Sequence, residues 1–192
     1  GTVTISYNDQ AQTQSTSRGV QGTGALPANI SISDGPTYNY GTLANGGLAD
    51  KTLTLTNGGG VPATALAGPA IAAPVGFEGG DYPGSAGTCG TTLNVSATCT
   101  IVITYSPTSI ATHNSTVSVN YTDGLVGQTA TRAVTGTAVA PALLALSDGP
   151  TFDFGTLATG SSTDKTFVVT NNGSFASSVM SGAGVSGPFT FK

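Results

Sequence analysis

The side chains able to do acid–base, nucleophilic or metal chemistry are few in this sequence. There is one histidine, His113, one glutamate, Glu78, and one pair of cysteines, Cys89 and Cys99. A nucleophilic triad would need His113 beside a nucleophile and an acid. No Gly-x-Ser-x-Gly elbow occurs, and Ala111-Thr-His-Asn114 reads as an exposed turn ahead of a strand. Glu78 and Asp81 in Phe77-Glu-Gly-Gly-Asp-Tyr82, with Asp34 and Asp148, raise a calcium reading. A tight calcium site wants three or more oxygen-bearing side chains at short spacing. No Asp-x-Asp run is present, and Asp-Gly-Pro is ordinary turn chemistry. No metal, cofactor or catalytic residue is therefore expected.

The cysteines, ten positions apart, leave three readings: a disulfide, half a metal site, or two free thiols. No second ligand pair accompanies them, which disfavours zinc. A Cys89–Cys99 bridge is the expectation; it would close a short loop and contribute about 3 kcal/mol in the loop-entropy model. Such a bridge implies an oxidising compartment. Lys51 and Lys165 occupy a strand face that also carries Asn57 and Asn171. A buried Lys–Asn pair beside an acid can form an isopeptide bond, but a lysine stem packed at a sandwich edge with its ammonium in water is expected instead. Five Asn-x-Ser/Thr sequons (Asn29, Asn94, Asn114, Asn120 and Asn172) matter only if the host glycosylates.

The elements that would hold these residues are strands. Only 7% of residues are charged, against about 25% in average soluble proteins. Thr, Ser, Asn and Gly carry the polarity, and β-branched Thr suits a pleated surface. The net charge of −4 makes nucleic acid an unsuitable partner, because phosphate binding needs clustered Lys or Arg. No apolar run approaches the ~20 residues of a spanning helix, and no membrane insertion is expected.

An internal repeat organises the chain. Ser33-Asp-Gly-Pro-Thr-Tyr-Asn-Tyr-Gly-Thr-Leu-Ala44 recurs as Ser147-Asp-Gly-Pro-Thr-Phe-Asp-Phe-Gly-Thr-Leu-Ala158, an offset of 147 − 33 = 114. Residues 1–78 laid on 115–192 without a gap give 30 identities. The expected domains are thus 1–27, the closing strands of a preceding repeat; 28–139, a complete repeat; and 140–192, the first part of a following one. Pro27 and Pro141 mark the junctions, where a fixed φ suits a short, stiff linker.

Alternation of apolar and polar residues predicts strands at Thr2–Tyr7, Ile30–Ser33, Thr37–Tyr40, Lys51–Asn57, Thr64–Ala67, Cys99–Tyr105, Thr116–Tyr121 and Thr129–Gly136. Turn clusters such as Asn57-Gly-Gly-Gly and Thr122-Asp-Gly separate them. Seven or so such strands per repeat predict an all-β chain of immunoglobulin-like antiparallel sandwiches. Tyr38, Tyr40, Phe152 and Phe154 alternate within the repeated motif and are expected to pack across the sandwich or against the next domain.

Asn57-Gly-Gly, Gly87-Thr-Cys89-Gly-Thr-Thr-Leu93, Ala97-Thr-Cys99-Thr-Ile-Val-Ile-Thr-Tyr-Ser-Pro107 and Gly136-Thr-Ala138 together resemble the bacterial choice-of-anchor D repeats. These are relatives of the Hydin and major-sperm-protein group of Ig-like domains. The resemblance implies displayed arrays or stalks on large exported proteins and supplies no catalytic residues. The expected function is a structural segment of an extracellular fibre, stalk or surface protein. The alternative is an adhesin-type module that recognises glycan or protein through loops such as Ala67–Gly90. Expected partners are neighbouring repeats or copies of the same protein. The phase of the chain suits an excerpt from a longer array, or else a subunit whose ends complete domains of neighbouring copies by strand exchange.

Overall fold

A computed structural model describes all 192 residues. The strands in chain order are β1 (Thr2–Asn8), β2 (Thr13–Gly19), β3 (Ile30–Ile32), β4 (Thr37–Ala44), β5 (Ala49–Asn57), β6 (Ala63–Ala67) and β7 (Val75–Phe77). They continue with β8 (Thr92–Leu93), β9 (Thr98–Tyr105), β10 (Thr112–Thr122), β11 (Gly127–Val139), β12 (Leu144–Leu146) and β13 (Val169–Asn171). One sheet has the order β4-β11-β10-β6-β8 and the other β3-β5-β9-β7. Facing one another, they make the Ig-like sandwich that the alternation predicts. All pairings are antiparallel except β11 with β4, which runs parallel from Ala133↔Thr37 to Val139↔Ala44.

The core follows from the period-2 pattern. Leu53 and Leu55 on β5 meet Ile101, Ile103 and Tyr105 on β9, and Val117 and Val119 on β10 face them from the other sheet; all seven are fully buried. Each contributes roughly 1.5–3 kcal/mol by leaving water. β9 departs from simple alternation because its outer residue Val102 is also buried. The Pro83-Gly84 segment covers it: Val102 N–H donates to Pro83 O at 2.8 Å. Gly136 faces the Tyr105 ring so closely that a Cβ would come within 2.7 Å of it, so Tyr105 fixes a glycine in the middle of β11.

Every buried residue lies between Ala28 and Ala138. Outside that span stand two small ladders, the hairpin β1–β2 and the pair β12–β13. Within residues 1–139 three elements were not anticipated from alternation: β2, where Thr13-Gln-Ser-Thr-Ser-Arg-Gly19 carries no apolar side chain, and the short edge strands β7 and β8. One expectation is corrected. His113 is not an exposed turn residue but lies inside β10, half-buried against the Tyr105 ring.

Candidate functional site at the repeat junction

The entry to the sandwich is built on the turn after β5. Asn57 is fully buried, and both ends of its side chain are used. Its Nδ2 donates to Val61 O (2.9 Å) and Leu93 O (3.0 Å), while Oδ1 accepts from the N–H of Asn29 (3.2 Å) and Gly59 (3.0 Å). Gly59 lies against the incoming chain, where a Cβ would overlap Pro27 O. Gly60 N–H donates to Leu26 O (3.0 Å), and Ala28 N–H donates to Asp123 O (2.9 Å). The linker is thus bonded to two turns of the sandwich as it arrives, with a shallow cleft of about 360 Å³ between Ala25, Pro27, Val61, Pro62 and Leu125.

Asp123 organises the second of those turns. Its Oδ1 accepts from Leu125 and Val126 N–H (both 2.8 Å), and Oδ2 accepts from Gln128 Nε2 (2.9 Å). The Val126 and Leu125 amides, then Gln128, hold its carboxyl below the ordinary value of 3.8. Behind the entry, Tyr121 Oη accepts from Ile30 N–H (3.3 Å). The Arg132 guanidinium donates to Ile32 O and to Pro36 O (3.0 Å), tying β11 to the connection between β3 and β4.

The second junction repeats this arrangement. Asn171 donates to Phe175 O (2.8 Å) and accepts from Leu143 and Gly173 N–H (both 3.0 Å). A Cβ on Gly173 would overlap Pro141 O, and Ser174 N–H donates to Ala140 O (3.2 Å). The lysines also repeat. Lys51 Nζ sits 2.6 Å from Asp34 Oδ1 and 4.6 Å from the Tyr38 ring centre; Lys165 Nζ sits 2.5 Å from Asp148 Oδ1 and 4.5 Å from the Phe152 ring centre. These pairs hold Asp34 and Asp148 below the usual carboxylate value, with Ser33 and Ser147 hydroxyls adding to the effect. Asp34 and Asp148, two of the four carboxylates considered for calcium, therefore already have a cation. Lys51 is engaged by Asp34, and Asn57 by backbone groups.

Cys89 and Cys99 are joined in a disulfide with Cα atoms 4.9 Å apart. Both lie in the core, 5% and 9% exposed. The bridge is flanked by a hydroxyl pair, Thr88 Oγ1 and Thr100 Oγ1 at 3.0 Å, and by Thr88 and Cys89 N–H donating to Thr100 O. It fixes the Gly87–Gly90 segment alongside β9.

A cleft of about 560 Å³ opens beside β7, lined among others by Asp50, Phe77, Glu78, Thr104, Ser109 and His113. Tyr105 Oη lies 2.8 Å from His113 Nδ1, and Ser109 Oγ lies 3.1 Å from Nε2. The alternation of β9 points Tyr105 inward, but nothing in the sequence joins it to His113. Burial raises the Tyr105 phenol above its ordinary value, so it stays neutral and cannot act as the carboxylate that orients a triad imidazole. Asp50 Oδ1 accepts from Thr104 Oγ1 (2.5 Å), and Glu78 Oε2 is buried with no hydrogen-bond partner in the chain. The five sequon asparagines are all exposed.

No family model matches this sequence, and no curated protein does. Solved structures do. The chain is similar to the ASH / PapD-like domain 7 of human CEP192, at 16% identity and TM-score 0.42, covering 65% of this chain and 93% of that one. It is similar to a protein of unknown function from Porphyromonas gingivalis W83, at 11% identity and TM-score 0.44, covering 71% and 66%. The Vibrio cholerae VesB protease follows at 13% identity and TM-score 0.42; 58% of this chain is covered but only 32% of the protease. The two-sheet sandwich rests on the strand pairing of this chain itself. No helix is long and apolar enough to cross a membrane.

Proposed function

We propose that this chain is a structural segment of an exported array of Ig-like modules, a stalk or fibre of the choice-of-anchor D type, with no enzymatic role. The observation that carries this reading is the junction, where three of the four Asn57 side-chain bonds recur at Asn171. Asparagine, glycine and linker proline occupy equivalent positions at Asn57, Gly59, Pro27 and at Asn171, Gly173, Pro141. A binding domain has no need of a fixed entry angle, whereas a spacer does, because its length and stiffness depend on that angle. The core disulfide supports an oxidising location at the cell surface or outside it. β10 and β11, of 11 and 13 residues, give each module a length of roughly 35–45 Å at ~3.3 Å per residue.

Small-angle scattering of the chain and of its Gly59→Ala, Gly173→Ala double variant tests the reading. A spacer predicts a well-defined extended envelope whose junction angles broaden in the variant. Indistinguishable, broadly flexible profiles for both would reject it.

One observation favours a second reading, an adhesin module: the cleft beside β7, with Glu78 Oε2 unpaired and His113 at its wall. Glycan-array binding that disappears in Glu78→Gln or His113→Ala would place recognition there.

A further inference from the structure

Of the nine carboxylates in the chain, most are matched by the chain itself. Asp34, Asp148 and Asp164 face Lys51, Lys165 and Lys192. Asp9 and Asp123 each accept from two turn amides and a glutamine. Asp50 and Glu78 differ: neither meets a cation, and both line the cleft of about 560 Å³ beside β7. Asp50 Oδ1 accepts one hydroxyl, from Thr104, while Glu78 Oε2 is buried without a partner. A buried carboxylate oxygen without a donor is costly, and a cation arriving in the cleft offsets that cost. The chain supplies none, since no lysine or arginine lines the cleft.

The sheet builds this cleft with room in it. Asp50, Thr104 and Gly76 form one row across β5, β9 and β7. Val75 and Phe77 point into the core, each 5% exposed, so position 76 faces outward. It is a glycine whose added Cβ would meet nothing within 4 Å. Glu78, two residues further on, lines the same cleft. Two strand spacings and one two-residue step put the Cα atoms of Asp50 and Glu78 about 12 Å apart. Side chains reaching in from both leave the breadth of one sugar ring between them. Ser109 and His113 add to the wall a hydroxyl and an imidazole that are hydrogen-bonded to each other.

We propose that this cleft binds an amino sugar, its ammonium on the Glu78 carboxylate and its hydroxyls on Asp50, Thr104, Ser109 and His113. The inference rests on the adhesin reading of the same cleft and names the ligand. A neutral sugar leaves both carboxylates uncompensated, and an acidic one is repelled by both. Hydrogen bonds from an ammonium to a carboxylate are about twice as strong as neutral ones, so the amine dominates the choice. Leu48, which also lines the cleft and is 65% exposed, offers apolar contact to the C–H face of the ring. A pocket of this kind, with an apolar wall and a few convergent polar groups, is the ordinary form of a small-ligand site.

NMR titration of the whole chain at neutral pH with glucosamine, N-acetylglucosamine, glucose and glucuronic acid tests this. Glucosamine should bind about tenfold or more tightly than the other three, shifting the amides of Gly76 and Glu78. N-acetylation keeps the ring and removes the charge, so it isolates the amine. Glu78→Gln should weaken glucosamine binding about tenfold. Asp81→Asn, which removes the same charge outside the cleft, should not. Gly76→Leu fills the cleft with a residue that a strand accepts, and should remove binding of every sugar while leaving thermal unfolding intact. Equal binding of glucosamine and glucose, or an amine preference that survives Glu78→Gln, overturns the inference. Sugar binding that Gly76→Leu removes would then still support the adhesin reading, so the two fail separately. Absence of binding by every sugar overturns both.

Discussion

Hairpins β1–β2 and β10–β11 share a register, a turn aspartate and a glutamine that closes it. Asp9 Oδ1 accepts from Ala11 and Gln12 N–H with Gln14 at Oδ2, as Asp123 does from Leu125, Val126 and Gln128. Yet Val3 is half exposed and Val117 fully buried. Local sequence is enough to set the pairing and the turn, whereas burial belongs to whatever lies across the sandwich. The pair β3–β5 and β12–β13 repeats the lesson with identical register, Ile30↔Asn57 against Leu144↔Asn171.

The largest expected break in that equivalence is at the asparagines. Asn57→Ala leaves two backbone carbonyls and two amides without their partner inside a closed structure, at about 1–3 kcal/mol for each group that water cannot reach. A loss of about 3–4 kcal/mol in a urea titration of the central sandwich is the expected outcome. Asn171→Ala frees one carbonyl and two amides in the open, where water replaces the side chain, and should leave that transition within about 0.5 kcal/mol of wild type. Equal effects would mean that the two regions unfold together.

Removing the bridge comes next. Cys89→Ser with Cys99→Ser, or reduction, should cost about 3 kcal/mol by loop entropy, seen as a shift of the same transition. The flanking ladders have no bridge of their own and should not respond. Third, Val117→Ala should cost about 2 kcal/mol from lost burial and the space left behind. Val3→Ala, the same residue type at the same repeat position, should cost under about 0.5 kcal/mol in dilute protein.

Much of this was legible in the residues. Leu53-Thr-Leu55, Ile101-Val-Ile103 and Val117-Ser-Val119 show their inward faces by alternation alone. The Cys89–Cys99 pairing follows from spacing and the lack of other ligands. What stayed hidden depends on contacts far apart in sequence. The parallel pairing of β11 with β4 joins residues about a hundred apart, and β2 carries no apolar pattern to announce it. His113 reads as a turn residue because Ala111-Thr-His-Asn has no local strand signal; only the Tyr105 hydroxyl and Ser109 make it part of the sandwich wall. The same holds for Glu78, whose environment is set by the cleft.

The smallest effect expected is in acid, and it tests whether the repeated ion pairs differ as the repeated valines do. Asp34 and Asp148 both have carboxyls held below the ordinary 3.8 by their lysines, and both pairs are about a third exposed at the carboxylate. A depressed carboxyl favours the folded form while it is ionised, so the contribution is complete above pH 3.8 and fades as pH falls through the lowered folded value. NMR titration should find both aspartates depressed by similar amounts, since each pair is local and needs no sandwich. Their consequences should differ: Asp34 links β3 to β5 within the cooperative unit, so Lys51→Met should flatten the acid limb of the central transition by an amount in the modest range of exposed pairs. Lys165→Met should raise the Asp148 value equally and leave that limb unchanged. If Lys165→Met also moved the limb, residues 142–171 would belong to the same cooperative unit, and the contrast between the two regions would be one of exposure alone.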